Sequence, residues 1–372
     1  MHDLIVIGAG PAGSSAAITA AQAGARVLLL EKGRFPRHKV CGEFVSAESL
    51  DLLSTLLAPQ YAGVLGEAIR IPQSRIFLDG RVLQAEIAPA AASIARFDLD
   101  LILWNSAVNA GVEAVDQTTV QNISGGTSFK VQTMRGDFES RAVVDASGRW
   151  SNLTAKPAGA PREKWLGVKG HFAENSPLAS VDLYFFDGGY CGVQPVELAS
   201  ERSSERTNAD QMNAGRINAC AMVRADVASN LTEVFGLNQA LRERSRDWQP
   251  LMDTVSTSPL IFRDPTPLRG NVLLAGDAAA FVDPFIGDGI SLALRGGSTA
   301  ARALRPYLQD RISLERAREN YQREYQKNLA RVYQASSKIR CMLKVPRSIR
   351  GPFVFLLEKN PAITRYLVRK TR

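Results

Sequence analysis

Short runs of uninterrupted apolar residues, including those at residues 4–7, 27–30 and 272–275, occur in the chain. Runs of this length without polar alternation are typical of strands that are buried on both faces of a parallel sheet. Between the first two runs, alanines recur at a helical spacing and would let a helix lie close to the sheet. The pattern therefore predicts a strand, a helix and a second parallel strand within the first 30 residues.

The middle of the chain has a different pattern. Residues 164–262 contain alternating or β-rich stretches with glycine-rich turns, which predict an antiparallel sheet. Residues 68–87 are expected to add strands, with Asp79-Gly80 as a hairpin turn. The polar segment 197–215 is interpreted as a surface loop without a chemical role.

Beyond about residue 306 the pattern becomes helical, and basic residues alternate with apolar ones. The formal net charge is +8, but residues 338–372 hold ten Lys/Arg and one Asp/Glu, so the rest of the chain is close to neutral. The basic segment either lies on an anionic membrane or packs on the fold with its charges solvated. Nucleic acid is not expected as a partner, because no recognition motif accompanies the charge.

Other compositional features restrict the class of protein. The four cysteines are too few and too scattered for a disulfide scaffold, which favours a reducing, cytoplasmic compartment. No apolar run is long enough to span a membrane, so any membrane association is expected to be peripheral. No His/Cys/Asp cluster has the spacing of metal ligands, so no metal is predicted. His171 is expected to follow a strand, and an ordinary polar role is favoured over a place in a cavity.

The first strand leads into a glycine motif. Gly8, Gly10 and Gly13 have G-x-G-x-x-G spacing before a predicted helix, and Glu31 ends the second strand. Such glycines allow a tight turn, close approach of a pyrophosphate and close helix packing, and the acid accepts hydrogen bonds from a ribose. The motif predicts a dinucleotide site but does not separate FAD from NAD.

A second strand–turn–helix pattern follows about 260 residues later. The strand at 272–275 ends in Gly276-Asp277, and the segment 283–290, DPFIGDGI, precedes another apolar helix. Free amides at a helix start can face an anionic group, and Asp277 can accept hydrogen bonds from hydroxyl groups. An ordinary strand–turn–helix is the alternative for this segment taken alone.

Together the two motifs resemble a superfamily of flavoproteins that includes p-hydroxybenzoate-hydroxylase-type monooxygenases, flavin-dependent halogenases and geranylgeranyl reductases. The segment 145–148, DASG, resembles the middle motif of that superfamily, and the similarity extends to about residue 305. Within it, the segment 39–46, KVCGEFVS, is most similar to the geranylgeranyl reductase branch. The W-x-W-x-I-P motif of halogenases is not found, and the aromatic reductase segment is only partly kept near Tyr190.

The resemblance implies an α/β fold in which a Rossmann-like FAD-binding domain carries an inserted antiparallel-sheet substrate domain and a C-terminal helical cap. The implied domains are residues 1–67, 88–163 and 264–305 for FAD, 68–87 and 164–263 for substrate, and 306–372 for the basic cap. The implied FAD-binding residues are Gly8, Gly10, Ala12, Gly13, Glu31, Lys32, Cys41, Gly42, Arg96, Asp277, Pro284, Gly287, Gly289 and Ile290.

Cys41 is the candidate catalytic residue. Its thiol could donate a proton to the carbon next to the one that receives hydride, and Arg37 and Lys39 would favour the thiolate. Packing of a small side chain beside the flavin is the alternative role. Cys191 is expected to end a strand that faces the same cleft; two unrelated buried thiols are favoured over a redox pair with Cys41.

The resemblance implies an FAD-dependent oxidoreductase, with NAD(P)H or another reductant as the electron donor. The leading hypothesis is hydride transfer from reduced flavin to a C=C bond of a lipophilic small-molecule substrate, such as an isoprenoid. The first alternative is hydroxylation of an aromatic or polyketide substrate through a flavin C4a-hydroperoxide. The second alternative is a non-catalytic flavin-binding module, which the motif around Asp277 and Gly289 argues against.

Overall fold

The computed structural model describes residues 1–149, 153, 163–198, 214–343 and 345–360, and these residues form two β-sheets with flanking helices. The strands are β1 (His2–Ile7), β2 (Val27–Leu30), β3 (Phe44–Val45), β4 (Ile69–Leu78), β5 (Arg81–Ser93), β6 (Glu113–Val115), β7 (Val120–Gly125), β8 (Phe129–Thr133), β9 (Gly136–Asp145), β10 (Trp165–Asn175), β11 (Ser180–Phe186), β12 (Gly189–Pro195), β13 (Ala214–Arg224), β14 (Gln249–Pro250), β15 (Val255–Thr257), β16 (Leu268–Arg269) and β17 (Val272–Leu274). The helices are α1 (Pro11–Gln22), α2 (Ala47–Leu56), α3 (Gly63–Glu67), α4 (Arg96–Asn109), α5 (Leu231–Gly236), α6 (Gln239–Arg244), α7 (Gly289–Leu308), α8 (Leu314–Asn328), α9 (Ala330–Leu343) and α10 (Arg347–Lys359).

The first sheet has the strand order β16-β17-β9-β1-β2-β6. Strands β17, β9, β1, β2 and β6 run parallel, and β7 and β8 form an antiparallel extension on β9. Leu4 to Val6 and Leu28 to Leu29 are fully buried, as expected for strands with helices on both faces. The predicted strand–helix–strand unit is therefore confirmed, with its second strand at the predicted residues.

The second sheet has the order β14-β10-β13-β12-β11-β4-β5-β3, and β15 also pairs with β10. Its pairs are antiparallel except for β11 with β4, which run parallel. Asp79 and Gly80 both have positive φ and connect β4 to β5, so the predicted two-residue hairpin turn is present. One face of this sheet packs on α5 and α6 around Val193 and Ile217.

The α/β class with a parallel sheet, an antiparallel sheet and C-terminal helices is confirmed. Two predicted boundaries fall inside elements: β5 continues past residue 87 to Ser93, and α7 continues past residue 305 to Leu308. In both cases the element continues without a break, which the local sequence pattern does not reveal. The division into domains stays a prediction, and most of the predicted polar loop lies outside the described residues.

Among the described helices, none combines the length and the apolar character that a membrane crossing requires. Within the same residues, no set of three His, Cys, Asp or Glu side chains is arranged to hold a metal ion.

Candidate functional site: a groove between two glycine motifs

The two glycine motifs meet through direct contact of helices α1 and α7. A methyl group built at Gly297 would lie 1.9 Å from the carbonyl oxygen of Ala12, so the two backbones are as close as glycine permits. Ser15 Oγ also donates to the Leu294 carbonyl oxygen at 2.7 Å. The small residues of both helices thus join two segments that are far apart in the sequence.

The loop after β1 has the geometry of a phosphate-binding turn. Gly8 has a φ of +93°, and a methyl group at Gly13 would lie 1.7 Å from the Gly8 carbonyl oxygen. A methyl group at Gly10 would instead meet only the Arg96 guanidinium, at 3.8 Å. No side chain caps the start of α1, so its first amides and the positive end of its dipole can face an anion.

Glu31 lies beside this turn and is almost fully buried. Its carboxylate accepts hydrogen bonds from the amides of Ala9 at 2.9 Å and Gly33 at 2.8 Å, and Arg37 pairs with it at 3.0 Å. Burial opposes ionisation, but Arg37 and the two amides outweigh it and lower the pKa of Glu31. Glu31 and the exposed Lys32 line a narrow cavity of about 50 Å³ next to Gly8, where the nucleoside end of a dinucleotide is expected.

Two further cations stand near the glycine turn. Arg96 begins α4 and forms a bidentate pair with the buried Asp100, at 2.7 and 2.8 Å. Burial alone would lower the pKa of Arg96, but Asp100 raises it, so the guanidinium is permanently charged. Burial, then the charges of Arg37 and Arg96, lower the pKa of Lys39 to about 8. A bound diphosphate would neutralise part of this positive charge. Lys39 is therefore a candidate contact that the sequence predictions did not include.

Cys41 and Gly42 lie on the loop that leads to β3. Cys41 is half-buried, Gly42 is exposed, and a methyl group at Gly42 would meet nothing within 4 Å. The cation beside the Cys41 thiol is Arg96, whereas Arg37 is engaged with Glu31. The thiol therefore lies near a positive charge, as expected, but the charge comes from a different residue.

Cys191 does not face the groove. Its side chain belongs to the core between the second sheet and α5–α6, on the face opposite to Tyr190, and burial raises its pKa to about 12. The expectation that it shares a cleft with Cys41 is wrong, because its strand continues and alternation turns the side chain away. The thiol that shares the environment of Cys41 is Cys220 on β13, whose pKa is raised by burial and then by Cys41.

The second motif closes the groove from the other side. Gly287 has a φ of +78°, and a methyl group there would lie 3.1 Å from the Phe44 ring. Ser46 Oγ lies 2.9 Å from Asp288 Oδ1 and 2.8 Å from Ser291 Oγ, which fixes the Cys41 loop to the start of α7. Pro284, Gly289 and Ile290, the other predicted residues of this motif, lie in the same turn and the first turn of α7.

Asp277 is partly exposed at the end of β17 and pairs with Arg149 at 3.4 Å. Arg149 also stacks on the Phe281 ring at 4.1 Å. These residues line a cavity of about 250 Å³ between the middle motif and the second motif. In the middle motif, Asp145 is fully buried and accepts from Arg269 at 2.8 Å and the Ser147 amide at 3.0 Å, so its carboxylate orders the turn.

Helix α9 is hydrogen-bonded to the second motif through Asp283. Asp283 accepts from Ser336 Oγ at 2.6 Å and from Arg340 at 3.1 Å, and its amide donates back to Ser336 Oγ. Arg340 lies over the Phe262 ring at 4.0 Å. The helical cap is therefore built into the wall of the groove.

A buried ionic cluster behind the Cys41 loop is absent from the sequence predictions. The Glu43 carboxylate bonds to Lys169 Nζ and to His171 Nε2, and all three side chains have no exposed surface. His171 lies within β10 and not after a strand, and alternation places it with Lys169 on the face toward the loop. A lysine and a histidine in a β-rich stretch carried no signal of this distant partner.

These residues fit an FAD molecule. The uncapped start of α1 with its cations suits a diphosphate, Glu31 suits a ribose, and the open surface at Gly42 leaves room for a planar ring against the second motif. Contacts between α1 and α7, between Arg96 and the Cys41 loop, and between Ser46 and α7 bring together the segments that carry the predicted cofactor residues, whose role in binding FAD stays a prediction.

A site of this kind, at the carboxyl ends of parallel strands and between two glycine motifs, is typical of proteins that bind a dinucleotide. The family model for FAD dependent oxidoreductases matches residues 3–50. The digeranylgeranylglycerophospholipid reductase 2 of Methanopyrus kandleri is 26% identical over 90% of the chain and 85% of its own length. The flavin-dependent halogenase armH3 of Armillaria mellea is 25% identical over 85% of the chain and 69% of its own length.

Among solved structures, flavin-dependent brominase Bmp2 superposes with a TM-score of 0.78 at 18% identity, covering 100% of this chain and 93% of that one. This likeness shows the fold. The chain is similar to FAD-dependent oxidoreductases, and the relatives that cover most of its length are FAD-dependent reductases and halogenases, which indicates an enzyme of this class. The alternative of a non-catalytic flavin-binding module is therefore set aside.

Proposed function

We propose that the protein is a geranylgeranyl reductase-like enzyme that reduces a C=C bond of a lipophilic substrate. When bound, FAD would supply the hydride. The observation that carries this proposal is an apolar, aromatic wall on the groove side of the second sheet, directly against the second glycine motif.

Aromatic rings form this wall. Tyr190 and Phe185 on the sheet contact Phe285 of the second motif, each with ring centroids 5.9 Å apart, and Phe262 lies 5.3 Å from Phe281. The side chains that complete the cluster include Met222, Leu260, Ile339 and Leu343. The central side chains Tyr190, Met222, Leu260 and Phe285 are buried, and an apolar cluster of this composition excludes water from a neighbouring reacting centre.

The protein's own groups have limited chemical tasks in this reaction. Hydride adds to one carbon of the double bond, and a proton must reach the neighbouring carbon. We propose the Cys41 thiol as that proton donor, with Arg96 beside it to stabilise the thiolate that remains. Solvent then returns the proton to sulfur.

A monooxygenase that inserts one oxygen atom of O₂ into an aromatic or polyketide substrate is the second candidate. It is favoured by the similarity to a flavin-dependent halogenase and by the same aromatic wall, which would also hold a planar ring. Fold alone does not separate the two reactions.

We also propose that a reduced nicotinamide nucleotide supplies the electrons and that the enzyme docks on membranes through its basic C-terminal segment. Helix α10 exposes Ile349, Phe355 and Leu356, and the same helix carries Arg347 and Lys359. An amphipathic basic surface of this kind binds anionic bilayers. Co-sedimentation with anionic vesicles at low salt, lost for Ile349→Asp/Phe355→Asp, would support docking; sedimentation unchanged by these substitutions would refute it.

One experiment separates the candidate reactions. The purified protein is reduced anaerobically with NADH, NADPH or dithionite and mixed with prenyl lipids or aromatic polyketides, and air is then admitted. A product that gains two hydrogen atoms without air supports the reductase, whereas a gain of one oxygen atom only after air supports the monooxygenase. If dithionite reduces the bound flavin but neither NADH nor NADPH does, the proposed nicotinamide donor is refuted. Conversion of neither substrate class would refute both reactions.

A further inference from the structure

The charged cluster behind the Cys41 loop has no task in the reaction described above. Both carboxylate oxygens of Glu43 are used: Oε1 accepts from Lys169 Nζ and from the Arg96 amide, the latter at 2.8 Å, and Oε2 lies 2.8 Å from His171 Nε2. His171 Nδ1 lies 3.5 Å from an Arg216 nitrogen, which indicates that Nε2 carries the proton and donates to Glu43.

A buried ionic cluster adds little net stability to a core. Each buried ion loses its hydration, and apolar residues of similar volume are often as stable or more stable. Lys169 and the hydrogen bond from His171 nevertheless keep Glu43 ionised, because together they outweigh burial and lower its pKa to about 2. The ion pairs are therefore better explained by the position in which they hold the Glu43 side chain than by the stability that they add.

The backbone at Glu43 supports the same view. Its φ is +61°, a left-handed conformation that residues other than glycine adopt only when their surroundings enforce it. The Ile94 amide holds the Glu43 carbonyl oxygen at 3.0 Å, and Asn218 Nδ2 holds the Cys41 carbonyl oxygen at 3.0 Å. The residues on both sides of Gly42 are thus fixed, while Gly42 itself is exposed.

The tethers come from one face of the second sheet. Lys169 pairs in register with Cys220, and His171 pairs with Asn218, so the side chains form a compact patch beneath the loop. The second sheet is therefore joined to the Cys41–Glu43 loop by hydrogen bonds to the Glu43 side chain and to the Cys41 carbonyl oxygen.

We propose that Lys169, His171 and Asn218 are positioning residues that hold the Cys41–Glu43 loop in the conformation that receives FAD. They act through Glu43 and the Cys41 carbonyl and do not touch the reacting atoms. This inference rests on the proposed placement of FAD against the loop.

The chain supplies a matched control on the opposite face of the same sheet. There the buried Asp182 bonds to Arg244 and to Arg75, and Arg244 also holds Glu174 at 2.6 and 2.7 Å. This second network is also charged and largely buried, although Arg244 and Glu174 keep some exposure, and it lies on the face away from the loop. Arg244→Met should therefore destabilise the fold without altering the groove.

The test uses full-length protein with Cys341→Ser, which leaves Cys41 as the one described cysteine that is not buried. Three quantities are measured for the parent, Lys169→Met, Asn218→Ala and Arg244→Met: the melting temperature of the FAD-free protein, the FAD dissociation constant, and the rate of Cys41 alkylation by iodoacetamide with and without FAD. In the parent, FAD should slow alkylation at least about tenfold.

For Lys169→Met we expect the FAD dissociation constant to rise about tenfold or more and the protection of Cys41 to be lost. Asn218→Ala removes one neutral tether and should raise the constant about threefold to tenfold with little loss of melting temperature. This milder variant decides the matter if Lys169→Met fails to fold. Arg244→Met should lower the melting temperature but change neither FAD binding nor protection by more than about twofold.

Unchanged FAD binding and Cys41 protection in folded Lys169→Met, or in Asn218→Ala, would overturn the positioning role. Equal effects from Arg244→Met would also overturn it, since they would reflect general stability. If FAD binds the parent without protecting Cys41, the proposed placement of FAD itself fails, and the inference fails with it. The parent measurement therefore separates the two failures.

Discussion

Gly297→Ala should push the two glycine motifs apart, and so lower the stability of the fold and its affinity for FAD. The added methyl group would lie 1.9 Å from the Ala12 carbonyl oxygen and 3.1 Å from the Ala16 amide nitrogen. Both contacts are backbone atoms, which no side-chain rotation can move. An ordinary contact needs 3.4 Å, so helices α1 and α7 must part by about 1.5 Å.

The magnitude follows from two opposing effects. Overpacking a well-packed core costs about 1–3 kcal/mol or more, and this contact lies at the severe end of that range. Replacing glycine by alanine inside a helix returns about 0.5–1 kcal/mol. We expect a net loss of about 2 kcal/mol or more in the free energy of unfolding, with the FAD dissociation constant raised about tenfold because the Ala12 turn is displaced.

The adjacent glycine provides the control. A methyl group at Gly296 would have its closest contacts at 3.7 Å, which is ordinary van der Waals distance. Gly296→Ala should therefore stabilise the protein by about 0.5–1 kcal/mol and leave FAD binding unchanged. Urea denaturation and fluorescence titration with FAD measure both quantities. If the two substitutions change stability in the same direction, the close contact between α1 and α7 is not what holds the motifs together.

Three further predictions concern single groups of the groove. Gly42→Ala should leave the FAD-free stability within about 0.5 kcal/mol, because the methyl group meets nothing within 4 Å, yet weaken FAD binding in titrations; tight binding would move the ring away from this loop. Glu31 has a pKa below its ordinary 4.5, so its contribution to stability is present above that pH and is lost as the pH falls. Urea unfolding from pH 6 to 3 should show a smaller acid loss in Glu31→Gln than in the parent, and equal losses would contradict the Arg37 ion pair. Burial raises the pKa of Asp288 from 3.8 to about 6, so its ionisation costs stability increasingly as the pH rises through this interval; Asp288→Asn should gain up to about 3 kcal/mol near pH 7, and the gain should vanish below about pH 4. A pH-independent difference would argue against a protonated carboxyl group at this position.

The sequence was most informative where a local pattern determines the structure. The strand–helix–strand unit and the Asp79-Gly80 hairpin follow from apolar runs and turn chemistry that involve neighbouring residues. The resemblance to flavoproteins also implied that the two glycine motifs serve one cofactor, and the contact between α1 and α7 does bring them together.

Long-range pairing of charged residues could not be predicted in the same way. Lys169 lies in a strand, where a lysine usually points to solvent, and its partner Glu43 is 126 residues away. The direction of Cys191 depends on strand register, which shifts every side chain to the other face when it changes by one residue. The role of Arg96 beside Cys41 required the position of α4 relative to the loop, which no spacing encodes.

The grip of Ser336 and Arg340 on Asp283 has a consequence for biosynthesis. During translation the nucleotide-binding turn emerges first, but the wall that opposes it is anchored only after about 340 residues have been made. A nascent chain that stops before α9 should therefore capture the cofactor weakly, and ribosome-bound intermediates should acquire the yellow colour of bound flavin late. Stable retention of the coenzyme would thus require that synthesis has passed helix α9.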